Sequence, residues 1–305
     1  MKKVIRIGTR DSELALWQAH TVKNKLDELG YKSELVQVKA SGDLVLDRPL
    51  YEMGITGIFT RTLDLAMLNG TVDIAVHSMK DVPTSLPKGI VQTAVLERAS
   101  SQDILTLKKS IDLSDSLTIA TGSLRRKAQW LHRFPHHKTV GLRGNVNTRL
   151  QKLKENDWDG AIFAEAGLKR ISKLPDQYLN LEWMIPAPAQ GAMVVVALEN
   201  DDYCKKATAA LNHRNSEICT YVERDFLKIL EGGCTAPIGA IATIDYEKIK
   251  LQGILFSLDG TTKLEIEKST SLIDYKSLGK NCALDLLSNG GKEMMKTIKL
   301  ESESK

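Results

Sequence analysis

The chain is poor in aromatic residues and has no long apolar run, and both shortages exclude classes of protein. Phenylalanine, tryptophan and tyrosine make up 5% of the 305 residues, which leaves few rings for stacking on the bases of a nucleic acid. No basic helix is evident either, so we expect no nucleic-acid partner. The apolar runs at 191–198 and 238–244 are far shorter than the roughly 18 to 20 residues of a membrane span, so we expect no membrane partner.

Cysteine is also scarce, and its spacing argues against a metal centre. The four cysteines, Cys204, Cys219, Cys234 and Cys282, form no CxxC pair and no Cys/His cluster at zinc spacing. Arg6 interrupts the first apolar stretch before a signal peptide could form. We therefore expect a reducing, cytoplasmic location and no metal.

A phosphate-binding loop is absent as well. The consensus GxxxxGK[ST] does not occur, and GITGIF at 54–59 lacks the lysine and the following hydroxyl. A nucleotide ligand is therefore a poor candidate. The formal net charge of +4 is too small to indicate a polyanionic partner, so the placing of individual arginines has to decide.

The order of apolar patterns predicts an α/β protein of more than one domain. Short β-rich runs alternate with helical periods over the first 200 residues, which predicts mostly parallel sheets covered by helices. The proline-bearing stretch 185–191 indicates a crossing between domains. From about residue 215 a helix, two strands and a last helix near Ser277 to Leu287 predict a small α+β domain.

Arginines follow several predicted strands where helices would begin. Arg10 follows VIRIGT, Arg125 and Arg126 follow LTIAT, and Arg143 and Arg149 flank the next junction. A cation in the first turn of a helix opposes the helix dipole unless an anion binds there. Because guanidinium groups bind carboxylate and phosphate in bidentate geometry, the set indicates an anion site. Solvated charges at helix starts are the alternative for any one of them.

Two further positions carry candidate chemistry. Lys80 and Asp81 leave the strand DIAVHS just before Pro83, where an aspartate could stabilise a cation or move protons; a turn aspartate is the commoner case. Cys234 lies in LEGGCTAPIGA, after two glycines and before a proline, which predicts an accessible thiol. The other three cysteines lie on helical stretches and are expected to be buried and inert. His77 is left unassigned.

Long ordered motifs add to this reading. They are RIGTRDSELALWQ at 6–18, DIAVHSMKDVP at 73–83, T-x-S-L-R-R at 121–126, LRGNVNTRL at 142–150, AGLKR at 166–170 and LEGGCTAPIG at 230–239. Over nearly its whole length the sequence closely resembles the hydroxymethylbilane synthase family, also called the porphobilinogen deaminases. The resemblance implies two α/β domains of the periplasmic-binding-protein type around a cleft, and a small C-terminal α+β domain. The expected boundaries are 1–96 with 191–212, then 97–190, then 213–305.

The resemblance implies a transferase of tetrapyrrole (haem) biosynthesis. It would join four porphobilinogen molecules head to tail with loss of ammonia at each step, and water would release linear hydroxymethylbilane. Cys234 would hold the dipyrromethane cofactor, the primer, through a thioether, and Asp81 would be the catalytic aspartate. The side chains expected to bind the carboxylates of cofactor and substrate are Arg10, Ser12, Lys80, Thr121, Ser123, Arg125, Arg126, Arg143, Arg149, Arg170 and Gln190. The family is typically monomeric.

Two positions depart from the family pattern. The family usually has a lysine in a mobile loop of the type GGKGxF, where this chain has Thr56 before Phe59; Arg61 or Lys39 could compensate for the lost charge. Gly122 stands where a serine is common, although a backbone N–H can still bind an anion. A non-enzymatic receptor for small anions is the runner-up function, and a redox-sensing cysteine protein is a weaker third.

Overall fold

The computed structural model of the chain describes residues 3–38, 60–230 and 236–303. Its strands in chain order are β1 (Ile5–Thr9), β2 (Ser33–Gln37), β3 (Ile74–Ser78), β4 (Ile90–Val95), β5 (Asp103–Leu107), β6 (Thr118–Ala120), β7 (Lys138–Val140), β8 (Gly160–Ala164), β9 (Tyr178–Asn180), β10 (Met193–Leu198), β11 (Ile238–Asp245), β12 (Lys248–Phe256) and β13 (Lys263–Ser271). Its α-helices are α1 (Glu13–Glu28), α2 (Arg61–Leu68), α3 (Leu124–Arg133), α4 (Val146–Glu155), α5 (Glu165–Arg170), α6 (Asp202–Ala209), α7 (Arg214–Ile229), α8 (Tyr275–Leu286) and α9 (Lys292–Glu303).

The described chain divides into two compact units. Unit 1 contains the described residues up to 38, residues 60–99 and residues 191–217. Unit 2 contains residues 100–190, 218–230 and 236–303. Each unit contains at least one complete sheet.

Unit 1 is a five-stranded mixed sheet in the order β2-β1-β3-β10-β4. β1 pairs in parallel with β2 and β3, whereas β10 runs antiparallel to β3 and β4. Ile5 and Ile7 of β1 pack with Val22 and Leu26 of α1 in the core of this unit. Because β1 and β3 are parallel neighbours, the residues that follow them emerge at the same edge of the sheet.

Unit 2 contains a second five-stranded mixed sheet, β7-β6-β8-β5-β9, and the three-stranded antiparallel sheet β11-β12-β13. Its inner strands are buried on both faces, as their continuous apolar sequences require. In β5, for example, Ile104 packs into a cluster with Leu153 of α4, and the next residue, Leu105, packs on the other face with Trp130 of α3. The antiparallel sheet packs against α7 and α8 through residues such as Phe226 and Leu251.

The predicted fold class is confirmed: the chain is α/β, with a smaller α+β region at its C-terminal end. The prediction of mostly parallel sheets holds for strand direction, because four of the five strands in each five-stranded sheet run the same way. The exceptions are β10 in unit 1 and β5 in unit 2, each of which pairs antiparallel with both of its neighbours. β13 and α9 were not predicted. The three-domain boundaries stay a prediction.

Two predictions concern membrane-spanning helices and the burial of cysteines. In the part of the chain that the structure describes, no helix has both the length and the apolar character needed to cross a bilayer. Cys204, Cys219 and Cys282 are buried on α6, α7 and α8, as their helical contexts predicted.

Candidate functional site

In unit 1, four of the predicted site residues follow parallel neighbouring strands. Arg10 follows β1 and is half-buried, and the Ser12 side chain accepts a hydrogen bond from the backbone N–H of Ala15 as the N-cap of α1. Met79–Asp81 form a single 3₁₀ turn directly after β3. That turn carries Lys80 and Asp81, both half-buried. A cation, a hydroxyl, an ammonium and a carboxylate thus belong to one sheet edge.

His77 is the second-to-last residue of β3 and is buried. The sequence alone assigned no role to it. Only 7% of its surface is exposed, and its Nε2 has no hydrogen-bond partner among the described residues. Burial first, and the nearby positive charge of Arg10 second, lower the pKa of His77 from 6.5 to about 3. The imidazole is therefore neutral at physiological pH.

In unit 2, the junction from β6 to α3 carries four predicted site residues. Ser123 caps α3 by accepting a hydrogen bond from the backbone N–H of Arg126 at 3.4 Å. The backbone N–H of Ser123 donates to Thr121 Oγ1 at 3.3 Å. Arg125 and Arg126 therefore lie in the first turn, as the sequence predicted. Both guanidinium groups are nonetheless buried, with 5% and 6% of each residue exposed.

Asp103, which sequence reasoning did not single out, explains how the two arginines are buried. Arg126 donates to Asp103 Oδ1 from Nε at 3.1 Å and from Nη2 at 2.7 Å. Arg125 Nη1 lies 2.8 Å from Asp103 Oδ2 and forms an ion pair with it. Arg125 Nε has no hydrogen-bond partner in the described chain.

The next junction in unit 2, from β7 to α4, presents Arg143 and Arg149. Gly144 has a φ of +109°, a left-handed conformation that favours glycine. Its carbonyl accepts a hydrogen bond from Arg149 Nε at 2.7 Å. Asn145 caps α4 by accepting from the backbone N–H of Thr148 at 3.0 Å. The glycine and the cap together place Arg149 in the first turns of the helix.

Two remaining predicted residues of unit 2 differ in their surroundings. Arg170 ends α5, and burial lowers its pKa to about 10, so it stays charged at neutral pH. Gln190 is fully buried and donates from Nε2 to Asp103 Oδ1 at 2.9 Å and to the carbonyl of Ser101 at 2.7 Å. Gln190 is thereby joined to the same carboxylate as the two arginines.

Other predicted positions lie outside the described residues: Cys234, Thr56, Phe59 and Lys39. Among the residues that are described, no group of three or more His, Cys, Asp or Glu could hold a metal ion. A cavity of about 690 Å³ in unit 2 lies at the far end of α3, beside His132, Arg133 and Trp183. None of the predicted site residues lines this cavity.

Comparison with known families decides the identity of the chain. Residues 5–206 match the family model described as porphobilinogen deaminase, dipyromethane cofactor binding domain, and residues 217–288 match the porphobilinogen deaminase C-terminal domain. The chain belongs to the porphobilinogen deaminase family.

Relatives of similar length support the assignment. A porphobilinogen deaminase of Campylobacter hominis is 40% identical over 300 residues, which cover 96% of this chain and 97% of the relative. One of Pelotomaculum thermopropionicum is 38% identical over 308 residues and covers 99% of both chains. Among solved structures, a Salmonella typhimurium periplasmic binding protein with high arginine specificity covers 70% of this chain and 94% of its own, at 11% identity and a TM-score of 0.42.

The family models and the two deaminase relatives confirm the main functional predictions for this porphobilinogen deaminase family member. The chain is a hydroxymethylbilane synthase, a transferase of tetrapyrrole biosynthesis that acts on porphobilinogen. The predicted dipyrromethane cofactor is confirmed by the family model that covers residues 5–206. The roles of individual residues stay predictions.

Asp103 could have been found from the sequence. It opens DILTL, a strand whose other residues are apolar or β-branched and buried for most of its length. A charged residue at the start of a buried strand requires a partner of opposite charge. His77 gives a weaker signal, since an imidazole at a strand end is commonly structural.

Proposed function

We propose that Asp81 is the catalytic carboxylate of this porphobilinogen deaminase family member. Loss of ammonia leaves the substrate with a positive charge that a nearby carboxylate stabilises. Each coupling then releases a proton, for which a carboxylate within reach is a suitable acceptor. The half-buried position of Asp81 on a tight turn after β3 supports this role, because the turn limits the freedom of the side chain.

The carboxylates of substrate and cofactor are bound by the arginines at strand ends. Each pyrrole carries an acetate and a propionate, and guanidinium groups bind such anions in bidentate geometry. In unit 1 this role falls to Arg10, with Ser12 and Lys80. In unit 2 it falls to Arg125, Arg126, Arg143, Arg149 and Arg170, with Thr121, Ser123 and Gln190. The position of Arg10, Arg125, Arg126, Arg143 and Arg149 at or just before helix starts supports the assignment for these five, since free N–H groups and the helix dipole favour anions there.

The described residues fit a dipyrromethane cofactor. The group is anionic through its carboxylates, and the buried Arg125 Nε is a donor without a hydrogen-bond partner in the described chain. When bound, the cofactor supplies the primer whose free α-carbon attacks the deaminated substrate. The chain itself contributes the charges that hold the carboxylates and orient them.

Cys234 is the thiol that holds this cofactor. The alternative thiols are poor nucleophiles: burial, the largest influence in both, raises the pKa of Cys204 to about 12 and that of Cys282 to about 11. Because the thiolate is the reactive form, these two remain inert at neutral pH. Cys219 is also buried. Elimination therefore favours Cys234.

Further proposals follow from the sequence. The chain is built of three domains, 1–96 with 191–212, 97–190 and 213–305. The enzyme acts as a monomer in the cytoplasm without membrane association. Light scattering of the purified protein tests whether it is a monomer, and fractionation of cells tests its location.

The intact mass of the purified protein, followed by peptide mapping, tests the proposed attachment. We expect an excess equal to two deaminated porphobilinogen units on the peptide that contains Cys234, and no excess in a Cys234→Ala variant. The three buried cysteines, which both proteins retain, serve as the internal control. A chain that stays unmodified after incubation with porphobilinogen, but binds a small anion reversibly, would favour the anion receptor instead.

A further inference from the structure

The carboxylate of Asp103 joins three of the side chains to which binding of cofactor carboxylates is proposed. Asp103 itself is fully buried at the start of β5. Its Oδ1 accepts two hydrogen bonds from Arg126 and one from Gln190, and its Oδ2 lies 2.8 Å from Arg125 Nη1. One carboxylate is thus the partner that all three side chains share.

Neighbouring backbone groups complete this arrangement. Arg126 Nη1 donates to the carbonyl of Ile162 at 2.9 Å, and Arg125 Nη1 donates to the carbonyl of Ile185 at 2.7 Å. Ile185 is in turn held by Gln129, which donates from Nε2 to its carbonyl at 3.0 Å and accepts from its N–H at 2.8 Å. Both arginines are therefore held from two sides, and Arg125 depends on a segment that Gln129 fixes.

The charge state of the group is set by the same contacts. Burial is the largest influence on the pKa of Asp103 and opposes ionisation, but Arg125 and Arg126 together outweigh it and hold the pKa below its usual range. With the carboxylate ionised, two guanidinium cations and one anion leave a net charge of +1. Buried ion pairs add little stability compared with apolar residues of the same volume, so the main consequence of this group is geometric.

We propose that Asp103 is a positioning residue, which orients Arg125 and Arg126 for the carboxylates of the dipyrromethane cofactor. This inference rests on the proposed function of the two arginines. Asp103 does not touch the cofactor and acts only through its partners. Because one carboxylate holds both guanidinium groups, its loss displaces both at once.

The test compares two buried, ion-paired aspartates. Asp103→Asn removes the charge at nearly constant shape, and Asp73→Asn does the same at the amino end of β3 in unit 1. Asp73 is 6% exposed and accepts from Arg6 Nε at 3.0 Å and from Arg6 Nη2 at 2.9 Å. The measurement is the rate at which each apoenzyme, incubated with porphobilinogen, gains the cofactor mass, together with its melting temperature.

We expect both variants to melt at a lower temperature, and only Asp103→Asn to gain the cofactor slowly. The rate should fall about 100-fold, since misplacing a binding group by about 1 Å has effects of that size. Electrostatics alone predicts the opposite, because Asp103→Asn raises the local charge from +1 to +2. A folded Asp103→Asn protein that loads at the wild-type rate or faster overturns the inference, as does equal slowing of both variants.

A second variant decides the question if Asp103→Asn does not fold. Asp103→Glu keeps the buried charge, so that the local charge stays at +1, but moves the carboxylate by one methylene group relative to Arg125 and Arg126. Slow cofactor loading by this folded variant supports the inference, and loading at the wild-type rate overturns it. Failure of the wild-type protein itself to gain the cofactor would instead contradict the proposed function.

Discussion

Gly122 leaves no room for a side chain at the junction from β6 to α3. A Cβ atom built on this residue would lie 2.3 Å from the carbonyl oxygen of Leu142, closer than any real contact of that kind. Any larger residue at this position would therefore require a shift of the backbone at Gly122 or Leu142.

Asp81 carries the residue-scale prediction that bears most directly on catalysis. Asp81→Ala should reduce turnover of porphobilinogen by about 100-fold or more, because general acid–base catalysis alone contributes about 10²- to 10⁴-fold. The fold should survive, since the side chain is half-buried on a turn and is not part of an apolar core. Steady-state turnover and circular dichroism measure the two effects.

Asp11→Ala is the matched control for this experiment. Asp11 is an exposed carboxylate that follows β1, at the same sheet edge, and the cap of α1 is Ser12 rather than Asp11. We expect this variant to turn over porphobilinogen at close to the wild-type rate. Near-normal activity of Asp81→Ala would contradict the assigned role.

At the scale of elements, α4 depends on its capping residue. The Asn145 side chain accepts from both the backbone N–H and the hydroxyl of Thr148, at 3.0 and 3.1 Å. Asn145→Ala should cost about 1 kcal/mol of stability and lower the melting temperature by about 2 °C. Because Arg149 lies on the first turns of this helix, the KM for porphobilinogen should also rise.

The other end of the same helix provides a control. Asn156 follows α4 and donates from its side chain to the carbonyl of Lys152 at 2.8 Å. Asn156→Ala should lower the melting temperature slightly and leave the KM unchanged, because it disturbs only the exposed carboxyl end. Equal effects of the two variants on KM would show that α4 does not position Arg149.

The sequence missed one strand, β13, and the direction of another, β10. β13 reads KLEIEKSTS, and only its alternate residues Leu264 and Ile266 are apolar and face the core. Two apolar positions are too few to identify the alternation of apolar and polar residues that a strand with one solvated face shows. β10 was predicted as a buried strand, but its direction was not. That direction is set by antiparallel pairing with β4, which lies about 100 residues earlier in the chain. Sequence pattern reports burial and period, and it does not report direction.

For the whole molecule, two histidines determine the start of acid unfolding. Burial is the main cause that lowers the pKa of His77 to about 3, and burial also lowers the pKa of His137. Below about pH 6.5 the unfolded chain therefore binds more protons than the folded one. This stability is complete well above pH 6.5 and is lost as the pH falls, by up to about 1.4 kcal/mol per pH unit for His77.

Melting temperatures at pH 7.5, 6 and 5 test this prediction. The wild-type protein should lose stability across the series, before the aspartates with depressed pKa, such as Asp73, become protonated at lower pH. His77→Gln should lose less, whereas His20→Gln, a change at an exposed histidine on α1, should follow the wild type. An equal fall in melting temperature of His77→Gln and the wild type between pH 7.5 and 5 would show that His77 does not cause this loss of stability.

The sequence by itself determined the class of fold, the edges at which arginines and Asp81 emerge, the buried cysteines and the family. These features follow from apolar periodicity, capping residues and long ordered motifs, which are local because residues close together in the sequence specify them. Only the tertiary structure decided that Arg125 and Arg126 are buried on Asp103, that Gln129 fixes Ile185, and that His77 is neutral. These features depend on residues about 20 to 70 positions apart in the chain, because desolvation and ion pairing are set by which groups meet in space.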